Sequence, residues 1–130
     1  MIGNYLLDTN IIIHLFAGNE PIVEKIKDLT GIVLSSIVLG ELFYGAFNSS
    51  KIEDNIRRID TFTSRFPTIL TCDSDTAKEY GKIKSELKKK GNPIPENDLW
   101  LAAITMQHNL ILITQDKHFS FVDGLNVKLW

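Results

Sequence analysis

Four carboxylates in this chain border or interrupt long uncharged runs, and their types and spacing are suited to chemistry; only Asp116 has a basic neighbour, Lys117. Asp8 is the only Asp, Glu, Lys or Arg in residues 1–19. It closes the run Tyr5-Leu6-Leu7 and is followed by Thr9-Asn10 and the apolar Ile11-Ile12-Ile13. Glu41 is the only such residue from Leu29 to Ser50, and Asp98 the only one from Asn97 to Gln115. Asp116 comes just after the apolar run Leu110–Ile113, with Thr114 and Gln115 between. An ionised carboxylate in apolar surroundings needs a partner. No basic residue near Asp8 in sequence supplies one, so its partner is a distant side chain, a helix N-terminus or a metal ion.

Four carboxylates in one cleft repel and raise one another's pKa unless a cation compensates. Hard oxygen ligands without His or Cys among them point to Mg²⁺ or Mn²⁺ rather than zinc. The chemistry this favours is metal-assisted attack of water on a phosphodiester. Each acid also has a purely structural reading. Asp98 can serve a helix dipole, Asp116 a turn, Asp8 a helix cap, and Glu41 a distant Lys or Arg. The set is better explained by one shared site than by four separate accidents. Asn10 and Thr114, short polar residues beside two of the acids, can orient carboxylates or waters, or merely cap a helix and end a strand. Glu96 reads as an exposed residue at a helix start rather than a fifth acid. His14, His108 and His118 read as surface or core-edge histidines. No Ser-His-Asp or Cys-His scheme is supported.

The elements that must position these acids follow from hydrophobic patterning. Strands are expected at Tyr5–Leu7, Ile32–Leu34, Ile69–Thr71 and Leu110–Ile113, with a short edge strand at Val127–Leu129. Helices are expected over about Ile11–Ala17, from Glu20 to Gly31, Ile37–Phe47, Lys51–Arg65, Ser74–Lys90 and Glu96–Gln107. Thr9 or Asn10 is the expected cap of the first helix and Ser36 of the third. The third helix is assigned a core stripe of Leu39, Leu42, Phe43, Ala46 and Phe47, with Tyr44 facing a groove. The fourth turns Ile52, Ile56, Ile59 and Phe62/Phe66 inward. Lys117–Phe121 is expected to form a short helical turn. Short strands alternating with helices mean right-handed βαβ units, a mostly parallel sheet and helices on both faces. Asp8 and Asp116 then fall at the carboxyl edge of the sheet, where ligands of such folds bind. Glu41, about two turns into its helix, and Asp98, in the first turn of its own, can reach the same edge.

The chain has 130 residues, 44% of them hydrophobic and 23% charged, an ordinary globular composition without repeat, linker or low-complexity tract. One domain over residues 1–130 is expected. The formal net charge of −2 excludes a polybasic binder. It leaves room for a nucleic-acid substrate, because a local basic patch and a metal supply enough positive charge. Six of the fourteen Lys and Arg residues fall between Lys78 and Lys90. With Arg57, Arg58 and Arg65 they can line a path for phosphates. Cys72 is the single cysteine and reads as a small buried residue. The N-terminus lacks the pattern of a signal peptide, and no apolar run approaches a membrane span. A cytoplasmic location without membrane contact is expected.

Several segments together resemble PIN-domain ribonucleases, above all the VapC toxins of prokaryotic toxin–antitoxin pairs. They are Tyr5–Asn10, Ser36–Leu42, Pro93–Ala103, Leu112–Phe119 and the tail Gly124–Trp130. The resemblance implies a three-layer α/β/α sandwich around a central, mostly parallel sheet. It implies an acidic Mg²⁺- or Mn²⁺-dependent site in which Asp8, Glu41, Asp98 and Asp116 match the family's acidic positions. Asp8 and Asp98 are expected as direct metal ligands. Glu41 and Asp116 are expected to act through water, hold a second ion or position the attacking water. It further implies an RNA substrate, a homodimer, and a small VapB-like antitoxin inserted in the active-site groove, with operator DNA bound only through that antitoxin. Pro95 and Glu96 stand where many relatives carry Gly and Asp, and Gln115 where many carry Arg.

Other readings remain at this level. One is a PIN-type RNA-maturation nuclease without an antitoxin. Another is a non-enzymatic, receiver-like module holding Mg²⁺, although the paired acids and the late lysine of that design are missing. A phosphatase using Asp8 would want a second acid at Asn10. A degenerate, non-cleaving scaffold would not keep all four acids.

Overall fold

The computed structural model describes residues 4–130. Its centre is β1 (Tyr5–Leu7), a strand of three residues. Leu6 and Leu7 are both fully buried. Successive strand residues point to opposite faces, so both faces of the sheet are covered. Leu112 and Ile113 of β4 (Ile111–Thr114) repeat the pattern. Helices on either side of a buried sheet make the three layers that the alternating pattern predicts.

Among the described residues, five strands form one sheet in the order β3-β2-β1-β4-β5. Here β2 is Ile32–Ser35, β3 is Ile69–Leu70 and β5 is Val127–Leu129. Every neighbouring pair is parallel. Leu6 lies opposite Val33 on one side and Leu112 on the other. The chain leaves β1 toward β2 and later returns to β4 on the opposite flank. That reversal leaves a crevice at the carboxyl ends of β1 and β4.

Among the described residues, six helices surround the sheet: α1 (Thr9–Phe16), α2 (Glu20–Lys27), α3 (Ser36–Phe47), α4 (Ile52–Thr63), α5 (Ser74–Lys90) and α6 (Glu96–Gln107). A 3₁₀ turn covers Lys117–Phe121. α6 buries Leu99 and every residue from Leu101 to Thr105, as its apolar sequence predicts. α5 is bounded on both sides by strong signals. Asp73 and Thr76 form a reciprocal capping box at its start, and Gly91, at φ +74°, closes it.

The caps differ from expectation by one residue at two sites. Asp8, not Thr9 or Asn10, caps α1 and accepts the Thr9 N–H. Ser35, not Ser36, caps α3 and accepts the Val38 N–H. In both, the last residue before the helix still has extended backbone, so the strand passes directly into the cap.

Burial departs from expectation at three residues, Phe47, Ile52 and Cys72. Phe47 is 63% exposed and Ile52 is 41% exposed, whereas both were assigned to the core. α3 is apolar around most of its circumference, so its sequence does not select one stripe. The face it buries carries Val38, Leu42 and Ala46, while Leu39 and Phe43 pack at the core margin. Ile52 is the first residue of α4 and lies beyond the part that packs. Cys72 is exposed in the loop between β3 and α5. Partial burial and the neighbouring Asp73 charge push its thiol pKa up, which disfavours the reactive thiolate.

Candidate active site

Asp8, Glu41, Asp98 and Asp116 line one cleft of about 570 Å³ at the carboxyl edge of the sheet. Asp8 stands where β1 ends, and Asp116 follows β4 on the adjacent strand. Asp98 lies in the first turn of α6. Helices that return a chain to the start of the next parallel strand run against the strands, so α6 begins at this edge. Glu41 arrives from the middle of α3, which leaves β2 with no intervening loop.

Neutral donors hold these carboxylates. Thr114 Oγ1 donates to Asp8 Oδ2 at 2.6 Å, and the Thr9 N–H donates to Asp8 Oδ1 at 2.8 Å. Thr9 Oγ1 donates to Glu41 Oε1 at 2.7 Å. The Asn10 amide lies 3.3 Å from both Asp8 Oδ2 and Asp116 Oδ2, tying two acids together. Asn10 Oδ1 in turn accepts the Gln115 N–H. The Asp116 N–H donates to Thr114 Oγ1. His118 Nε2 lies 2.8 Å from Asp98 Oδ2.

Asp8 is 3% exposed. Burial pushes its pKa up to about 6. The Thr114 and Thr9 hydrogen bonds pull the other way, and the charges of Asp98 and Asp116 add to the rise. Asp98 is raised as well, first by burial, against the opposing pull of His118 and with further push from Glu41 and Asp116. Among the described residues, no Lys or Arg lines this cleft. The site is therefore an arrangement of acids whose charge is not balanced by the cleft walls.

Two residues belong here that the linear pattern did not single out. Thr9 looked like a cap, yet its hydroxyl reaches across to Glu41. His118 looked like a surface histidine. Its spacing two residues after Asp116 was the available signal, because one 3₁₀ turn brings it back over the Asp98 helix. Glu96 lines the cleft, but its carboxylate is exposed and engaged by Lys84 at 3.1 Å and by the Tyr80 hydroxyl. Tyr44, 73% exposed, faces an adjoining cleft that shares Thr9, Glu41 and Asn97 with the acidic one. The basic residues divide. Lys84 and Lys88 border a groove that meets the acidic cleft at Glu96. Arg57, Arg58 and Arg65 line a different cleft beside Leu15 and Phe16. The two sets thus line separate grooves.

Residues 5–125 match the family profile described as PIN domain. The chain is 38% identical over 131 residues to Ribonuclease VapC1 of Haemophilus influenzae (strain R2866), covering 97% of each chain. The chain belongs to the VapC branch of the PIN-domain family. A second VapC relative, the tRNA(fMet)-specific endonuclease VapC of Shigella flexneri, is 33% identical, again over 97% of each chain. The fold superposes on that of VapBC2 from Rickettsia felis, solved bound to a DNA fragment from its promoter. The TM-score is 0.88 at 34% identity, covering 100% of this chain and 99% of that one. The all-parallel sheet and the acidic cleft at its carboxyl edge are thus seen in a PIN-domain chain of VapC type. Among the described residues, no helix is long and apolar enough to cross a membrane.

Proposed function

We propose that this protein is a divalent-metal-dependent endoribonuclease and the toxin of a type II toxin–antitoxin pair. The observation that carries this is the meeting of Asp8, Glu41, Asp98 and Asp116 in one cleft without a lining Lys or Arg. The donor set fits a hard cation. Its oxygens are carboxylates, and burial together with mutual repulsion raises the pKa of Asp8 and Asp98. A cation among them relieves both costs. Asp8 and Asp98 are the residues we assign to hold it directly. Glu41 and Asp116 act through water or hold a second ion. When bound, Mg²⁺ or Mn²⁺ supplies positive charge at the attacked phosphate and acidifies water.

The chain's own groups do the rest. Thr114 and Asn10 fix the Asp8 and Asp116 carboxylates, and Thr9 fixes Glu41, so little reorganisation accompanies substrate binding. Lys84 and Lys88, in the groove that meets the cleft, offer charge to RNA phosphates. Single-stranded loops are the accessible RNA class. One relative is named for acting on tRNA(fMet), which makes transfer RNA the first substrate to try. The exposed Ile13 and Tyr44 border the acidic and adjoining clefts and suit an antitoxin segment lying along them. We assign the protein a homodimeric state, contact with operator DNA through the antitoxin alone, and action in the cytoplasm.

Expression alone in a bacterium tests this. The wild-type protein arrests growth, and Asp8→Asn and Asp98→Asn do not. Equal toxicity of all three would overturn the catalytic assignment, and RNA cleavage that persists in excess chelator would overturn the metal. A small partner encoded beside it that relieves the arrest separates a toxin from an RNA-maturation nuclease.

A further inference from the structure

We propose that His118 is a nitrogen ligand of this metal site and tilts it toward Mn²⁺ over Mg²⁺; this rests on the metal-site reading above. Asp98, Asp116 and His118 each present a donor atom, and these atoms all lie within 4.8 Å of one another; Asp8, assigned above as a direct ligand, and Glu41 are not in that group, so Asp116 joins Asp98 as a direct ligand here. His118 Nε2 is the member nearest an acid oxygen, 2.8 Å from Asp98 Oδ2. Donors sharing one ion at about 2.1 Å stand roughly 3 Å apart when adjacent. The Asp98–His118 pair already has that spacing.

The imidazole is held in place by the fold. It rides on the 3₁₀ turn that starts directly after Asp116. The next residue, Phe119, is fully buried and anchors the turn in the core. The His118 ring packs 4.8 Å from the Phe119 ring, centroid to centroid. The His118 side chain keeps 29% of its surface exposed, so the ring can adjust toward an ion without opening the core.

The ligand type sets the preference. Mg²⁺ favours oxygen donors, whereas imidazole suits Mn²⁺ and the later divalent metals better. A carboxylate site with one imidazole is therefore expected to discriminate between the two ions where an all-oxygen site discriminates less. The same Nε2 lies within hydrogen-bond distance of Asp98 Oδ2, so an ion bound between them would replace the proton they share, which is released to solvent.

Calorimetric titration of the full-length protein with Mn²⁺ and with Mg²⁺, together with pulsed EPR of the Mn²⁺ form, tests this. The variants are His118→Ala and His118→Gln, with circular dichroism to verify folding. The wild type should bind Mn²⁺ more tightly and show ¹⁴N modulation from a coordinated imidazole. Both variants should lose that modulation and lose Mn²⁺ affinity by about tenfold or more, with a smaller loss for Mg²⁺. Mn²⁺ binding with no nitrogen coupling, and an unchanged Mn²⁺/Mg²⁺ ratio in the variants, would overturn the role of His118 and leave the carboxylate site standing. Absence of Mn²⁺ and Mg²⁺ binding by the wild type would overturn both. His118→Gln guards against misfolding of His118→Ala, since it keeps a polar group of similar reach beside Asp98.

Discussion

Thr114 and Asp8, 106 residues apart in sequence, share a 2.6 Å hydrogen bond across the carboxyl ends of two adjacent strands. Both side chains are buried, and the same Thr114 oxygen accepts the Asp116 N–H. One hydroxyl therefore holds the Asp8 carboxylate and the backbone of Asp116. Thr114→Val keeps the shape and removes both bonds. Leaving buried polar groups without partners costs about 1–3 kcal/mol. Thermal melts should show this loss, and metal affinity should fall by about tenfold. Thr114→Ser should recover most of both.

Asp8 links the site to pH. Its pKa rises from the ordinary carboxylate value of 3.8 to about 6 on folding, mainly through burial. An acid whose pKa is raised by folding favours the fold while protonated and opposes it once ionised. In metal-free protein this contribution is most favourable below about pH 4 and declines as pH rises to about 6. The shift corresponds to about 3 kcal/mol at neutral pH, taken as an upper figure. Asp8→Asn should raise the melting temperature of metal-free protein at pH 7 and flatten its slope between pH 4 and 6. Added Mg²⁺ or Mn²⁺ should stabilise the wild type and leave Asp8→Asn little changed. A lower melting temperature for the metal-free variant at pH 7 would contradict this.

Thr9 is predicted to matter through Glu41. Its hydroxyl is the donor that reaches the Glu41 carboxylate. Thr9→Val keeps the helix start and the Thr9 N–H to Asp8, and frees Glu41 to change rotamer. RNA cleavage should fall by about 10–100-fold, while the melting temperature shifts little. Thr9→Ser should restore cleavage. A Thr9→Val enzyme as active as wild type would remove Thr9 from the site.

Asp73 offers a control far from the acids. It accepts N–H groups of Asp75 and Thr76 at the start of α5 and the Gln107 amide from α6. These bonds, the Thr76 N–H first, hold its pKa below the usual carboxylate range. A depressed carboxylate pKa means stability present above the unfolded value and lost as pH falls through the folded one. Asp73→Ala should lower the melting temperature by a few degrees at pH 7. The gap to wild type should close toward acid pH. Toxicity of the variant should persist wherever it remains folded.

Most of the architecture was legible in the linear pattern. Short apolar runs ending in polar residues identified the strands, because strands buried on both faces carry no alternation and stop abruptly. α5 was legible as a helix over Ser74–Lys90, whereas its reciprocal Asp73–Thr76 capping box emerged only in the structure. Where the sequence is apolar in every direction, as in α3, periodicity carries no information about which face is buried. That is why Phe47 was assigned inward and lies outside. Cys72 shows the converse: residue type suggests burial, but its place in a loop after a two-residue strand decides exposure.

The sequence by itself determined that Asp8, Glu41 and Asp98 had no basic residue nearby and that Asp116 closed a long uncharged run, since charge isolation is a property of the chain. It also determined the parallel α/β frame, which follows from local hydrophobic patterning. The tertiary structure alone decided which group holds which acid. Thr114 reaches Asp8, Thr9 reaches Glu41 and His118 reaches Asp98 across separations of 106, 32 and 20 residues. Such pairings depend on strand order and on where helices begin relative to the sheet edge. Propensity and spacing act over a few residues, and only the packed sheet brings those distant groups within hydrogen-bond reach.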